Sequence, residues 1–146
     1  MSPRQLYRVV ATAEMITWTL LILGMVLKYS GVTEWGVRVG GLVHGVGFLC
    51  YVLANVFVGL NQRWSLRTMA VGIASAFVPW CTWPYDRWLD KHSKLDGPWR
   101  PEGSGLRGWL LRHPVLALLL AAVGVAAVTS VLLWLGPPSG WSTRFG

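Results

Sequence analysis

Residues 36–60, GVRVGGLVHGVGFLCYVLANVFVGL, restrict the fold of this chain more than any other stretch. A helix that crosses a bilayer needs roughly 20 mainly apolar residues, and this run is long enough. It also carries His44, Tyr51 and Asn55. Positions i, i+7 and i+11 share a face of an α-helix, so these three polar groups form one stripe with Phe48 between them. Glycines recur as Gly36-xxx-Gly40 and Gly41-xxx-Gly45, a spacing of small residues that lets a neighbouring backbone come close. The pattern predicts the central, helix-packing element of a membrane bundle.

Three further apolar runs flank it. Spans are expected at about 7–27, 36–60 and 66–84, forming a three-helix core over residues 1–90. A polar connection over 91–113 leads to a fourth span and short tail over 114–146. Ser30-Gly31 breaks the first helix, Ser65 is a natural N-cap for the third, and Pro114 suits the first position of the fourth. Pro79 falls inside the third span, where it displaces the Ser75 carbonyl from its usual amide. In lipid that carbonyl needs another donor. The fold expected is therefore all-α, a polytopic four-helix membrane bundle.

Only 13% of the 146 residues are charged and 53% are hydrophobic, whereas about a quarter of a soluble domain is charged. With the charges confined between apolar runs, an ordinary water-soluble core is excluded. The net charge of +7 points to anionic lipid headgroups as partner rather than nucleic acid, because no basic patch interleaved with aromatics lies on a soluble element. Cys50 and Cys81 both lie within apolar spans, which argues against a disulfide framework. The first run is too long for a signal-peptide core and lacks a small-residue cleavage site after it, so it reads as a retained helix.

Four alternating spans place both termini on one side. Trp35, Trp83, Trp88 and Trp109 then belong to one interface and Trp64, Trp134 and Trp141 to the other, as aromatic belts require. Lysine and arginine counts over the connections favour external termini, while the flanks of the first helix, Arg4 and Arg8 before and Lys28 after, favour cytoplasmic ones. The first helix usually dominates, so cytoplasmic termini are expected.

Two ionisable residues lie at depth, Glu14 and His44, and such residues are functional candidates. Counting at about 1.5 Å per residue puts Glu14 level with Tyr51 and roughly 10 Å from His44 along the membrane normal. Glu14 with Tyr51 and Asn55 is the expected pairing, and the freed Ser75 carbonyl is the expected acceptor for His44. The cluster Glu14, His44, Tyr51 and Asn55 reads either as helix-to-helix glue or as a proton relay. At the interface opposite the termini, Lys28, Arg38, Asp86 and Arg87 come out level, so Asp86 is expected either to bridge Lys28 or Arg38 or to leave each charge snorkelling. No metal and no cofactor are expected: one histidine and two distant cysteines are no ligand set. Asp86, Asp90, His92 and Asp96, interrupted by Lys91 and Lys94, read as a solvated charge-mixed segment.

Glu14, Leu27-Lys28-Tyr29, Val39-Gly40-Gly41-Leu42-Val43-His44-Gly45 with Phe48 and Tyr51, Trp64-Ser65-Leu66, and Pro79 with Asp86-Arg87 together resemble the YdzA-like domain-of-unknown-function family of small bacterial integral membrane proteins. The resemblance covers about residues 4–90. It implies a bacterial cytoplasmic membrane and an N-terminus inside, with the long connection and fourth helix lying beyond the usual family length. It implies no activity.

Three functions compete on these residues. One is a non-enzymatic accessory or scaffold subunit that packs against itself or within a larger complex. The alternative is a small oligomeric proton- or cation-coupled carrier using Glu14 and His44. An embedded enzyme is disfavoured, since the sequence offers no nucleophile–base pair and no paired carboxylates.

Overall fold

The computed structural model describes residues 1–100, 108–109 and 114–135, and these form helices joined by turns and short irregular segments, with no strand among them. Helix α1 (Pro3–Tyr29) is capped by Ser2, whose hydroxyl accepts from the Gln5 amide while the Gln5 side chain accepts from the Ser2 amide. Pro3 follows at the position where its missing N–H costs nothing. The helix stops at Ser30, and Gly31 turns the chain with φ +77°, a conformation that glycine adopts without penalty. Helix α2 (Trp35–Asn61) then runs back along α1. Both helices are long and apolar enough to cross a membrane. Their outward faces expose Val9, Ile16, Leu23, Val26, Val39 and Leu53, a surface suited to lipid rather than water.

The third apolar run does not form one helix. Helix α3 (Leu66–Ser75), capped by the Ser65 hydroxyl on the Thr68 amide, ends four residues before Pro79. The proline cannot donate to the Ser75 carbonyl, and here the helix ends rather than kinks. Val78 N–H takes up that carbonyl at 3.4 Å, and Trp80 turns the chain at φ +62°. Helix α4 (Thr82–Lys91) begins next, with Pro84 in its first turn. The expected continuous span over 66–84 is thus replaced by a helical hairpin.

Side-chain contacts fix the hairpin's direction. Along α4, Thr82 lies against Ala11 and Glu14, Asp86 against Arg8, and Asp90 against Arg4. Helix α4 therefore descends α1 towards its N-terminus. The hairpin is entered and left at the end of the molecule that holds Met1 and Asn61. Its tip reaches the level of Trp18 and Thr19, where the Trp18 indole donates to the Ala76 carbonyl at 3.0 Å and the Trp80 indole to the Thr19 hydroxyl at 3.0 Å. Each arm is ten residues, about 15 Å of helix.

The segment after α4 follows the hairpin to the same end. Arg4 pairs with Asp96, the Trp99 indole donates to the Met1 carbonyl at 2.7 Å, and Asn61 donates to the Arg100 carbonyl at 3.1 Å. This corrects the expectation that the connection lies opposite the N-terminus, and with it the expected level of Trp88. Helix α5 (Pro114–Leu135) contains no charged residue and packs on α2, with Thr129 and Leu132 beside Arg38 and Leu42. Residues 101–107 and 110–113 of the connection, and the tail with Trp141, lie outside the described residues.

The densest packing gathers at the N-terminal end of α1. Tyr7, Tyr51, Val58, Leu89 and Leu95 are fully or almost fully buried there, with Trp64 beside them. Half of α1, half of α2 and the hairpin share this core.

Candidate polar core

The centre of the site is a pair of phenols. Tyr7 and Tyr51 are both 0% exposed, and their hydroxyl oxygens lie 2.7 Å apart. Tyr7 donates to Asn55 Oδ1 at 3.1 Å, and Asn55 Nδ2 donates to the Met69 carbonyl at 2.9 Å. Ser75 lies 3.2 Å from the Tyr51 hydroxyl and donates its own proton to the Gly72 carbonyl at 2.6 Å. Tyr85 donates to the Thr68 carbonyl at 2.6 Å. One network thus ties α1, α2 and α3, with Tyr85 joining α4 to α3. Gly72 makes room for it, because a Cβ there would lie 2.2 Å from Asn55 Oδ1.

Glu14 is also 0% exposed, but it does not reach Tyr51. Its Oε2 accepts from the Thr82 hydroxyl at 2.8 Å, and that hydroxyl lies 3.3 Å from the Ala11 carbonyl. Glu14 Oε1 is buried without a hydrogen-bond partner among the described residues. The expected pairing of Glu14 with Tyr51 and Asn55 is corrected: α4 supplies Thr82, which the sequence parse had at the far end of a straight span.

His44 faces α1 rather than the Ser75 carbonyl. Its Nδ1 lies 3.1 Å from the Thr17 hydroxyl, which donates its proton to the Glu14 carbonyl at 2.8 Å. The ring packs on Trp18 with centroids 4.3 Å apart, and the Phe48 ring is 6.4 Å away.

The charges divide into two groups at opposite ends. Arg8 reaches Asp90 at 2.8 Å and Asp86 at 3.4 Å, while Arg4 reaches Asp90 at 2.9 Å and also Asp96. Asp86 is buried, with Arg8 as its cation partner. At the other end Glu34 lies 3.8 Å from Lys28 and 3.6 Å from Arg38. The expected cluster of Lys28, Arg38, Asp86 and Arg87 is therefore split, with Arg87 stacked over the Trp83 ring at 5.4 Å.

The glycines divide as well. A Cβ at Gly36 would lie 2.9 Å from the Gly24 Cα, and one at Gly40 would lie 3.0 Å from the Leu20 carbonyl oxygen. These two seat α1 against α2. Gly41 would meet only a Leu21 methyl at 3.9 Å and Gly45 nothing within 4 Å, so neither holds a helix.

Sequence reasoning missed Tyr7, Arg8, Thr17, Trp18 and Thr82. A signal for two of them was present, since Tyr7 and Trp18 share with Ala11 and Glu14 the i, i+4, i+7, i+11 spacing that singled out the stripe on α2. Thr82 gave none, because its place depends on the chain reversal at Trp80.

With this geometry in place, likeness to other proteins adds a family but no chemistry. A membrane protein of Streptomyces coelicolor, SCO5905, is 36% identical over 91 residues, covering 61% of this chain and 11% of that protein. The uncharacterized membrane protein YdzA of Bacillus subtilis is 37% identical over 70 residues, covering 48% of this chain and 73% of its own length. No solved structure matches significantly. The model of the domain of unknown function DUF3817 matches residues 4–91, which take in α2 to α4, all of α1 after Pro3, and the Tyr7–Tyr51, Glu14–Thr82 and Thr17–His44 contacts: the chain belongs to the DUF3817 family of membrane proteins.

Proposed function

We propose that the chain is a multi-pass protein of the bacterial cytoplasmic membrane, acting as a non-enzymatic accessory or scaffold module. In this reading α1, α2 and α5 cross the bilayer and the α3–α4 hairpin enters it half way and returns. Non-helical backbone is tolerated at that depth only when it is buried in protein or lines a cavity. Here the buried Ala76 carbonyl has the Trp18 indole.

One observation carries the reading. The deep polar side chains are spent on joining helices: Tyr7 to Tyr51, Asn55 to Met69, Glu14 to Thr82 and His44 to Thr17. A carrier keeps such groups facing a hydrated path, whereas a scaffold locks them. The family module also accounts for 11% of one relative and 73% of another, as fits a unit used both as part of a larger membrane protein and nearly alone.

The test is purification of the tagged full-length chain from its native membrane in mild detergent, with crosslinking before extraction. A stoichiometric membrane partner or a self-associated species supports the scaffold. A lone monomer with no crosslinked neighbour overturns it.

The second reading, a small proton- or cation-coupled carrier, is favoured by one atom, the unpartnered Glu14 Oε1. Reconstituted flux lost in both Glu14→Gln and His44→Ala supports it; flux equal to protein-free vesicles removes it.

A further inference from the structure

Gly41 and Gly45 leave a groove open instead of closing a helix contact. The groove runs between α2 and α5 with a volume of about 440 Å³, within the range of about 300–1,000 Å³ for ligand sites. Leu42, Phe48 and Leu49 line it on the α2 side, and Thr129 and Leu132 on the α5 side. Among the described residues that line it, Arg38 is the charged one.

Arg38 stands near the start of α2, its guanidinium 5.6 Å from the Trp35 ring centroid, the arrangement of an interfacial anchor. Its only described carboxylate neighbour, Glu34, is 3.6 Å away and is shared with Lys28. Two cations against one carboxylate leave positive charge at the mouth. From Arg38 to Leu49 the groove follows α2 for eleven residues, about 16 Å of helix, which is half of a hydrocarbon core of about 30 Å. The thickness of one leaflet is thus apolar, with a guanidinium at headgroup depth. Thr129, whose hydroxyl has no partner among the described residues, lies along the same wall.

We propose that this groove is a binding site for an anionic phospholipid of the leaflet opposite the N-terminus. One acyl chain lies over Gly41 and Gly45, and the phosphate is held by Arg38. Guanidinium presents a planar fork to phosphate oxygens, which suits Arg38 to this role. Arg38, Gly41 and Gly45 precede Tyr51 on α2, and Phe48 at the far end of the groove packs against the Tyr7–Tyr51 core.

The experiment is native mass spectrometry of the full chain released from nanodiscs of equal phosphatidylglycerol and phosphatidylcholine. Wild type is expected to retain one phosphatidylglycerol over phosphatidylcholine by about fivefold. Arg38→Gln should bring that ratio to about one while lipid is still retained. Gly45→Leu should lose the bound lipid with an unchanged melting temperature, and Gly41→Ala with Gly45→Ala serves if the leucine variant does not fold. Equal retention of both lipids by wild type overturns the proposal, as does undiminished phosphatidylglycerol in Arg38→Gln. So does a dimer that the Gly45 variants dissociate, because a second copy then fills the groove.

Discussion

Gly24 and Gly36 touch backbone to backbone: a Cβ built on Gly24 lies 2.4 Å from both the carbonyl carbon and the carbonyl oxygen of Gly36. Real side chains do not come that close, and the obstacle is main chain that cannot rotate away. Gly24→Ala must therefore push α1 and α2 apart. Overpacking costs about 1–3 kcal/mol, more than the roughly 1 kcal/mol of helix propensity that alanine adds. The variant should melt earlier in detergent by tryptophan fluorescence. Gly124→Ala, where the new methyl meets nothing within 4 Å, should melt no earlier than wild type.

Tyr7 and Tyr51 allow the polar lock to be measured. Tyr7→Phe leaves Asn55 Oδ1 without its phenol donor, and Tyr51→Phe removes a partner from both Tyr7 and Ser75. Their coupling in a double-mutant cycle should be about 0.6 kcal/mol and below about 1.7 kcal/mol, the range for bonds between membrane helices. Unfolding in mixed micelles gives the four stabilities. A coupling of zero would show that the 2.7 Å contact contributes nothing to stability.

The third prediction concerns the buried carboxyl of Asp86. Arg8 is its cation partner at 3.4 Å, so Arg8→Gln leaves a buried carboxylate without that partner. The variant should be less stable than wild type, and adding Asp86→Asn should recover part of the loss. Denaturation midpoints of the three chains check this, and equal midpoints would contradict the burial of Asp86.

What was legible in the sequence follows from which forces are local. The apolar runs fixed α1 and α2 within a few residues, since length and composition alone decide that. Ser65 and Pro114 marked helix starts because capping is a property of a few adjacent residues. Burial of Tyr51 and Asn55 followed from helical spacing. Pro79 was visible but its consequence was not: one proline can kink a helix or end it, and the choice depends on whether neighbours can satisfy the freed backbone. Here the Val78 amide takes the Ser75 carbonyl and the Trp18 indole, distant in sequence, takes that of Ala76. Once the chain turned there, Thr82, Asp86 and Asp90 moved to the other end of the molecule, and every pairing built on a straight third span moved with them.

That reversal gives the last prediction. If α3 and α4 form a hairpin, Lys91 at its exit lies on the same side as Met1, opposite the exposed Val32 in the α1–α2 turn. Had the run over 66–84 been one span, Lys91 would share a side with Val32. Start from a chain carrying Cys50→Ser and Cys81→Ser, add Lys91→Cys or Val32→Cys, and place an epitope before Met1. An impermeant maleimide applied to sealed vesicles of known orientation then reports each position. Lys91→Cys should label from the side that exposes the epitope and Val32→Cys only from the other. Labelling of both from one side would rule out the hairpin, and with it the contacts of Thr82 with Glu14 and Asp86 with Arg8. Because those contacts hold three of the buried polar groups in place, the scaffold reading depends directly on this result.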